Sequence, residues 1–274
     1  MTFDQLGLAP QLMQALRRVN YKHPTPIQAA AIPPALKGRD VLGVAQTGTG
    51  KTASFVLPIL NRLLARPGRG IRAVILAPTR ELAEQIHTNL TDYAQFTSLR
   101  AGMIMGGVSV RPQENMLRRG VDVLVATPGR LLDHLRRGTA RLDNVEVLVL
   151  DEADRMLDMG FVHDMRALLK YVPARRQTML FSATLPDTIQ RLAREFLHDA
   201  EHVEVATRSS TPRSVQQVVH PVASENKRQA LLHLLGSEDL TQVIVFTRTK
   251  RGASKLTEHL VAHGERAVVI HGNK

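Results

Sequence analysis

Short apolar runs of strand length recur along this chain of 274 residues, each followed by a segment of helical spacing. The runs lie at 41–44, 73–77, 101–105, 121–126, 145–150, 178–181 and 202–206, and segments such as 81–96 and 188–196 are helical between them. Strands that are apolar throughout, and rich in Val, Ile and Leu, fit a sheet buried on both faces. Strand and helix in strict alternation predict a parallel, doubly wound α/β sheet.

The alternation breaks at residues 207–214, a polar stretch containing Pro212 that reads as a linker. It then restarts, with strands predicted at 216–222, 242–247 and 267–271 and helices at about 226–235 and 252–263. We expect a first domain over 1–207, a linker over 208–214 and the start of a second domain over 215–274. About sixty residues is near the lower limit for an independent core. Apolar faces and a sheet edge are therefore expected to lie uncovered there.

Ala45-Gln46-Thr47-Gly48-Thr49-Gly50-Lys51-Thr52 follows the first run and opens a helix. It fits a phosphate loop, with Ala45 in place of the first glycine. Small residues let backbone N–H groups approach phosphates at a helix N-terminus. Lys51 can reach the β- and γ-phosphates and Thr52 can ligate Mg²⁺. Asp151-Glu152-Ala153-Asp154 follows the most apolar run, where carboxylates face ligands in open α/β sheets. Asp151 is placed to hold Mg²⁺, and Glu152 to orient the attacking water. A solvated acidic turn capping the next helix is the competing reading of this motif taken alone.

These two motifs, read with the others below, resemble the DEAD-box RNA helicases. The resemblance spans essentially the whole chain and implies a RecA-like first domain, followed by the start of a second. Tyr21-Lys22-His23-Pro24-Thr25-Pro26-Ile27-Gln28 is similar to the family's Q motif. It implies that Gln28 pairs with the adenine edge, for which glutamine has the matching donor and acceptor. Tyr21 would stack on the ring, with Phe3 supporting the pocket. Ser182-Ala183-Thr184 resembles the motif that couples hydrolysis to strand separation, its hydroxyls bonding Asp154 and its neighbours. A helix cap is an alternative role for these hydroxyls. Pro78-Thr79-Arg80, Gly106-Gly107 and Thr127-Pro128-Gly129-Arg130 resemble the family's RNA-contacting loops, with Arg80 and Arg130 as the cations. Such loops bind phosphates without reading sequence.

The implied activity is ATP-dependent local unwinding of RNA, with ATP and Mg²⁺ as cofactors and ribosome-assembly or RNA-decay proteins as candidate partners. The spelling of residues 151–161 and 245–250 is most similar to the bacterial RhlE subgroup. Residues 243–247 and 271–274 resemble the opening of the second domain, but no arginine-finger motif is visible. The 274-residue polypeptide is thus expected to bind nucleotide while turning it over poorly. A non-catalytic nucleotide- or RNA-binding module is the alternative.

Composition is consistent with this reading. Net charge is +11, which suits a polyanionic partner or, equally, a basic solvated surface. Tryptophan is absent and aromatics are 4%, which argues against wide base-stacking platforms. There is no cysteine, so disulfides and thiolate metal sites are excluded. With no long apolar run and no signal-peptide layout at residues 1–5, a cytoplasmic protein without membrane contact is expected. His87, His163 and His233 lack metal-ligand spacing. Met156, Met159 and Met165 fall near helical spacing and are expected in the core. Leu117-Arg118-Arg119-Gly120 offers either an RNA contact or a solvated helix end.

Overall fold

The computed structural model describes residues 1–205, 215–236 and 240–272. They fall into two units, Met1–Ser209 and Ser210–Lys274. The linker expected at 208–214 lies outside the described residues.

The first unit is an α/β sandwich. Its strands are β1 (Val41–Val44), β2 (Ala73–Leu76), β3 (Ala101–Ile104), β4 (Val123–Ala126), β5 (Val147–Leu150), β6 (Gln177–Ser182) and β7 (Glu201–Glu204). Its helices are α1 (Pro10–Arg18), α2 (Pro26–Leu36), α3 (Lys51–Ala65), α4 (Arg80–Ala94), α5 (Val110–Arg119), α6 (Pro128–Arg136), α7 (Ala153–Asp158), α8 (Val162–Leu168) and α9 (Asp187–Phe196). All seven strands pair in parallel, in the order β3-β4-β2-β5-β6-β1-β7.

Alternate residues of the inner strands β2, β4, β5 and β6 enter different cores. Val147 and Val149 join a cluster with residues of α1 to α4. Leu148 and Leu150 join a second cluster on the opposite face, with residues of α6 to α9. This two-sided burial is why the strands read as unbroken apolar runs rather than alternating ones. Gly43 of β1 lies in register with Phe181 of β6. A Cβ at Gly43 would come within 2.5 Å of the Phe181 ring, so the glycine makes room for that side chain. Met156 and Met165 are fully buried, as expected. Met159 is not: it caps the C-terminus of α7 and is 48% exposed.

The second unit contains α10 (Lys227–Leu235) and α11 (Lys250–Ala262). Helix α11 begins earlier than its sequence spacing predicts, because the Thr249 side chain accepts the Gly252 N–H at 3.0 Å. The strands predicted at 216–222, 242–247 and 267–271 do not form among the described residues. A strand exists only within a hydrogen-bonded ladder, and none joins these runs among the described residues. Their apolar side chains are accordingly in solvent, with Phe246 92% and Ile270 88% exposed. No described helix is long and apolar enough to cross a membrane.

Candidate functional site

The loop between β1 and α3 turns on two glycines. Gly48 has φ +82° and Gly50 φ +89°, a left-handed conformation that side chains resist. The Thr49 hydroxyl donates to Gln46 O across the loop at 2.7 Å. Lys51 follows as the first residue of α3 and is buried, and its Nζ has no hydrogen-bond partner. A buried ammonium without a partner is costly until an anion arrives.

Asp151 directly follows β5, beside this loop, and is also buried. Burial raises its pKa to about 6; Glu152 and Asp154 add to the rise, and the Lys51 charge opposes it. Its Oδ1 accepts only the Glu152 N–H, at 3.0 Å. Glu152 itself adopts φ 51°, ψ 53°, left-handed for a non-glycine residue. Such strain persists where surrounding structure over-determines it, commonly at functional sites. Its Oε2 lies 3.4 Å from Arg155 Nη1. The donor set fits a Mg²⁺ ion shared with phosphates, since Asp151 retains free lone pairs and needs a counter-charge. No group of three acidic or histidine side chains forms a self-sufficient cation site among the described residues.

Asp154 ties two loops together. Its Oδ2 accepts from Ala183 N at 3.1 Å, Thr184 N at 3.1 Å and Thr184 Oγ1 at 3.0 Å. The expected link between the acidic motif and residues 182–184 is therefore present through Thr184. It is absent through Ser182, whose hydroxyl is buried without a partner. Neither hydroxyl caps a helix, because Pro186 occupies the N-cap of α9.

Gln28 is buried and spends its amide within the protein. Oε1 accepts from Thr25 N at 2.9 Å, and Nε2 donates to Gly50 O at 3.0 Å. One N–H and one lone pair remain. The side chain thus braces the phosphate loop, a role the motif alone does not disclose. Tyr21 is 43% exposed, with its ring 6.4 Å from that of the buried Phe3 and 6.3 Å from that of Tyr93.

The other three loops follow β2, β3 and β4. Thr79 caps α4 by accepting Leu82 N at 3.3 Å, Pro78 is buried, and Arg80 is exposed. The Arg80 guanidinium lies directly over Gly107, at φ +75°, in the space that a side chain there would take. Thr127 Oγ1 accepts Gly106 N at 3.3 Å, and Arg130 donates to Val108 O at 3.1 Å. Gly129 has no such constraint, since an added Cβ would make ordinary contact with Asp164 at 3.7 Å. Gln113 was missed from sequence. It is buried, accepts from Met105 N at 3.0 Å, and donates to Met105 O and Ser109 O. It therefore holds the 106–108 turn from both sides. The signal available was a glutamine aligned with Met116 and Leu117 on one face of α5. Arg118 and Arg119 are absorbed in a solvated helix end, paired with Glu114 and with Asn115 O.

Strand order divides these loops into two groups on one edge of the sheet. The loops after β1, β6 and β5 are neighbours, and so are those after β2, β4 and β3. Residues 25–192 match the DEAD/DEAH box helicase family.

The chain belongs to the DEAD/DEAH box helicase family.

A DEAD-box ATP-dependent RNA helicase CshA of Geobacillus kaustophilus is 43% identical over 272 residues, covering 99% of this chain and 58% of that protein. CshA of Bacillus subtilis is 42% identical, covering 99% and 55%. The crystal structure of a DEAD box protein from Methanococcus jannaschii superposes with TM-score 0.72 and 35% identity, covering 100% of this chain and 74% of that one. The chain thus spans little more than half the length of these CshA relatives. Their similarity does not single out the RhlE subgroup within the DEAD-box helicases.

Proposed function

We propose that the first unit is the ATP- and RNA-binding part of an ATP-dependent RNA helicase. The observation that carries this reading is the buried, unpartnered Lys51 Nζ at the head of a glycine-turned helix. It sits on the same sheet edge as the Arg80 and Arg130 loops.

Lys51 and the loop N–H groups would hold the β- and γ-phosphates of ATP, relieving the unpaired ammonium. The remaining N–H and lone pair of Gln28 meet the adenine edge, and Tyr21 covers the ring. Thr52 and Asp151 would hold Mg²⁺, which supplies charge compensation to the phosphates. Glu152 orients the water that attacks the γ-phosphorus and takes up its proton as the bond to ADP breaks. Arg155 holds that carboxylate until water arrives. Asp154 passes the state of the acidic loop to residues 183–184 through its three hydrogen bonds. Arg80 and Arg130 contact successive RNA phosphates.

Residues 1–274 contain no arginine-finger motif, and such an arginine contributes roughly 10³ to 10⁵ in rate. A polypeptide limited to residues 1–274 is therefore proposed to bind ATP and RNA but to hydrolyse slowly and unwind nothing by itself. Binding of a fluorescent ATP analogue and ATP turnover with RNA, with DNA and with neither test the reading. Tight binding abolished by Lys51→Ala, with slow turnover, is expected. Absence of nucleotide binding refutes the main proposal; RNA-stimulated turnover at the level of a full-length relative refutes slow hydrolysis.

A further inference from the structure

The opposite ends of the same strands carry a second cationic feature that the nucleotide and RNA loops do not use. A cavity of about 940 Å³ opens between the C-terminal ends of α2 and α3 and the start of β6. Lys37, Arg62, Arg66, Arg72, Arg175 and Arg176 line it, against a single carboxylate, Glu146. Glu146 is already committed: Arg72 approaches its Oε1 at 2.7 Å and Arg62 its Oε2 at 3.4 Å.

Two backbone carbonyls beside the cavity already accept hydrogen bonds from its lining residues. Leu63 O accepts from Arg72 at 3.1 Å, and Ala35 O from Gln177 at 2.9 Å. Asp40, the acidic group that acts on Arg176, spends its two oxygens on Thr178 N and His198 N, each at 2.7 Å. Arg176 gives one N–H to Pro173 O at 2.9 Å, but its Nε is sealed from solvent with no acceptor. Burial pulls its guanidinium below the usual range despite Asp40. Lys37, Arg66 and Arg175 are exposed and have no ion pair among the described residues. Unpaired like charges gathered around a concavity repel one another unless an anion joins them.

We propose that this cavity binds an anion carrying two or more adjacent phosphate groups. Guanidinium forks match phosphate oxygens in pairs, and the cavity is of the size that holds small ligands. Adjacent phosphates are the mark of a free oligophosphate or a nucleotide phosphate chain; an RNA backbone presents related phosphodiester chemistry with its phosphates spaced by sugars. Helix α3 runs from the phosphate loop to this cavity over fifteen residues, about 22 Å, so the two sites are distinct.

Sodium tripolyphosphate, titrated calorimetrically into the full chain carrying Lys51→Ala, probes the cavity with the phosphate loop disabled. Arg66→Glu with Arg175→Glu should weaken tripolyphosphate at least about tenfold, while circular dichroism stays unchanged and the unfolding midpoint does not fall. A parallel titration with a short single-stranded RNA identifies the source. Loss of tripolyphosphate binding supports a free oligophosphate. Loss of RNA binding alone supports the phosphates of an RNA backbone. Unchanged affinity for both, or no tripolyphosphate binding before substitution with RNA unaffected, overturns the proposal. Should the double variant misfold, Arg175→Ala alone is expected to lower the same affinity in the same direction.

Discussion

Asp151→Asn should stabilise the nucleotide-free protein at neutral pH, although it removes a residue proposed to act on ATP. The carboxyl group titrates near 3.8 in an unperturbed chain and at about 6 in the folded protein. Burial is the leading cause, and the positive field of Lys51 reverses only part of it. The raised folded value fixes the sign. Below about pH 4 the group is protonated in both states and contributes nothing. Between about pH 4 and pH 6 the unfolded chain releases its proton first, so the native state loses stability as pH rises. Above about pH 6 both states are ionised and the full cost remains, roughly two pKa units or about 3 kcal/mol. Asparagine keeps an oxygen for the Glu152 N–H and does not ionise. The stability of Asp151→Asn minus that of wild type should therefore grow by about 2 kcal/mol between about pH 4.5 and pH 7.5, on the way to the full cost of about 3 kcal/mol. At neutral pH this corresponds to roughly 6–12 °C in Tm for a unit of this size. Urea unfolding followed by far-ultraviolet circular dichroism across that range measures it. A difference independent of pH, or a variant less stable throughout, would sink the reasoning. Saturating ATP with Mg²⁺ should narrow or reverse the gap, since only wild type presents the charged carboxylate.

Three further substitutions probe the packing around the site. Gly43→Ala should destabilise by about 1–3 kcal/mol, opposite in sign to the usual gain from alanine in a strand, because the new Cβ meets the Phe181 ring at 2.5 Å; a raised urea midpoint would contradict this. Gly50→Ala should weaken ATP binding by about tenfold more than Gly48→Ala. Both positions have positive φ, but only the Gly50 Cβ would strike Gln28 Nε2, at 2.5 Å; equal effects in a nucleotide titration would count against the brace. Glu146→Ala should cost about 3 kcal/mol, because it strands the nearly buried Arg72 guanidinium. A neutral result in the same unfolding assay would show that Arg72 finds another partner.

The two loop groups show where sequence reading stops. Each motif was recognisable locally, because a phosphate loop needs small residues before a lysine, and an acidic turn needs a buried strand behind it. Their grouping was not recognisable. The order β3-β4-β2-β5-β6-β1-β7 brings residues 44 and 182 into register and separates the arginine loops to the other half of the edge. Long-range pairing of equally apolar strands leaves no local trace. Gln28 and Gln113 make the same point at the level of single side chains. Each is polar and sits in a helix, and only burial against a backbone from elsewhere in the chain turns it into a brace.

Seven apolar runs, a glycine-rich loop and an acidic turn were enough to settle the α/β class and the identity of the chemical groups. Periodicity and motif chemistry are properties of neighbours along the chain. The second unit marks the limit of periodicity, since its strand-like runs form no strands without partners to pair with. What the tertiary structure decided was the electrostatic state of those groups. It left Lys51 without a partner, pushed Asp151 towards protonation and bent Glu152 into a left-handed backbone. Burial and the convergence of distant loops set the local field, and neither is encoded at any single position.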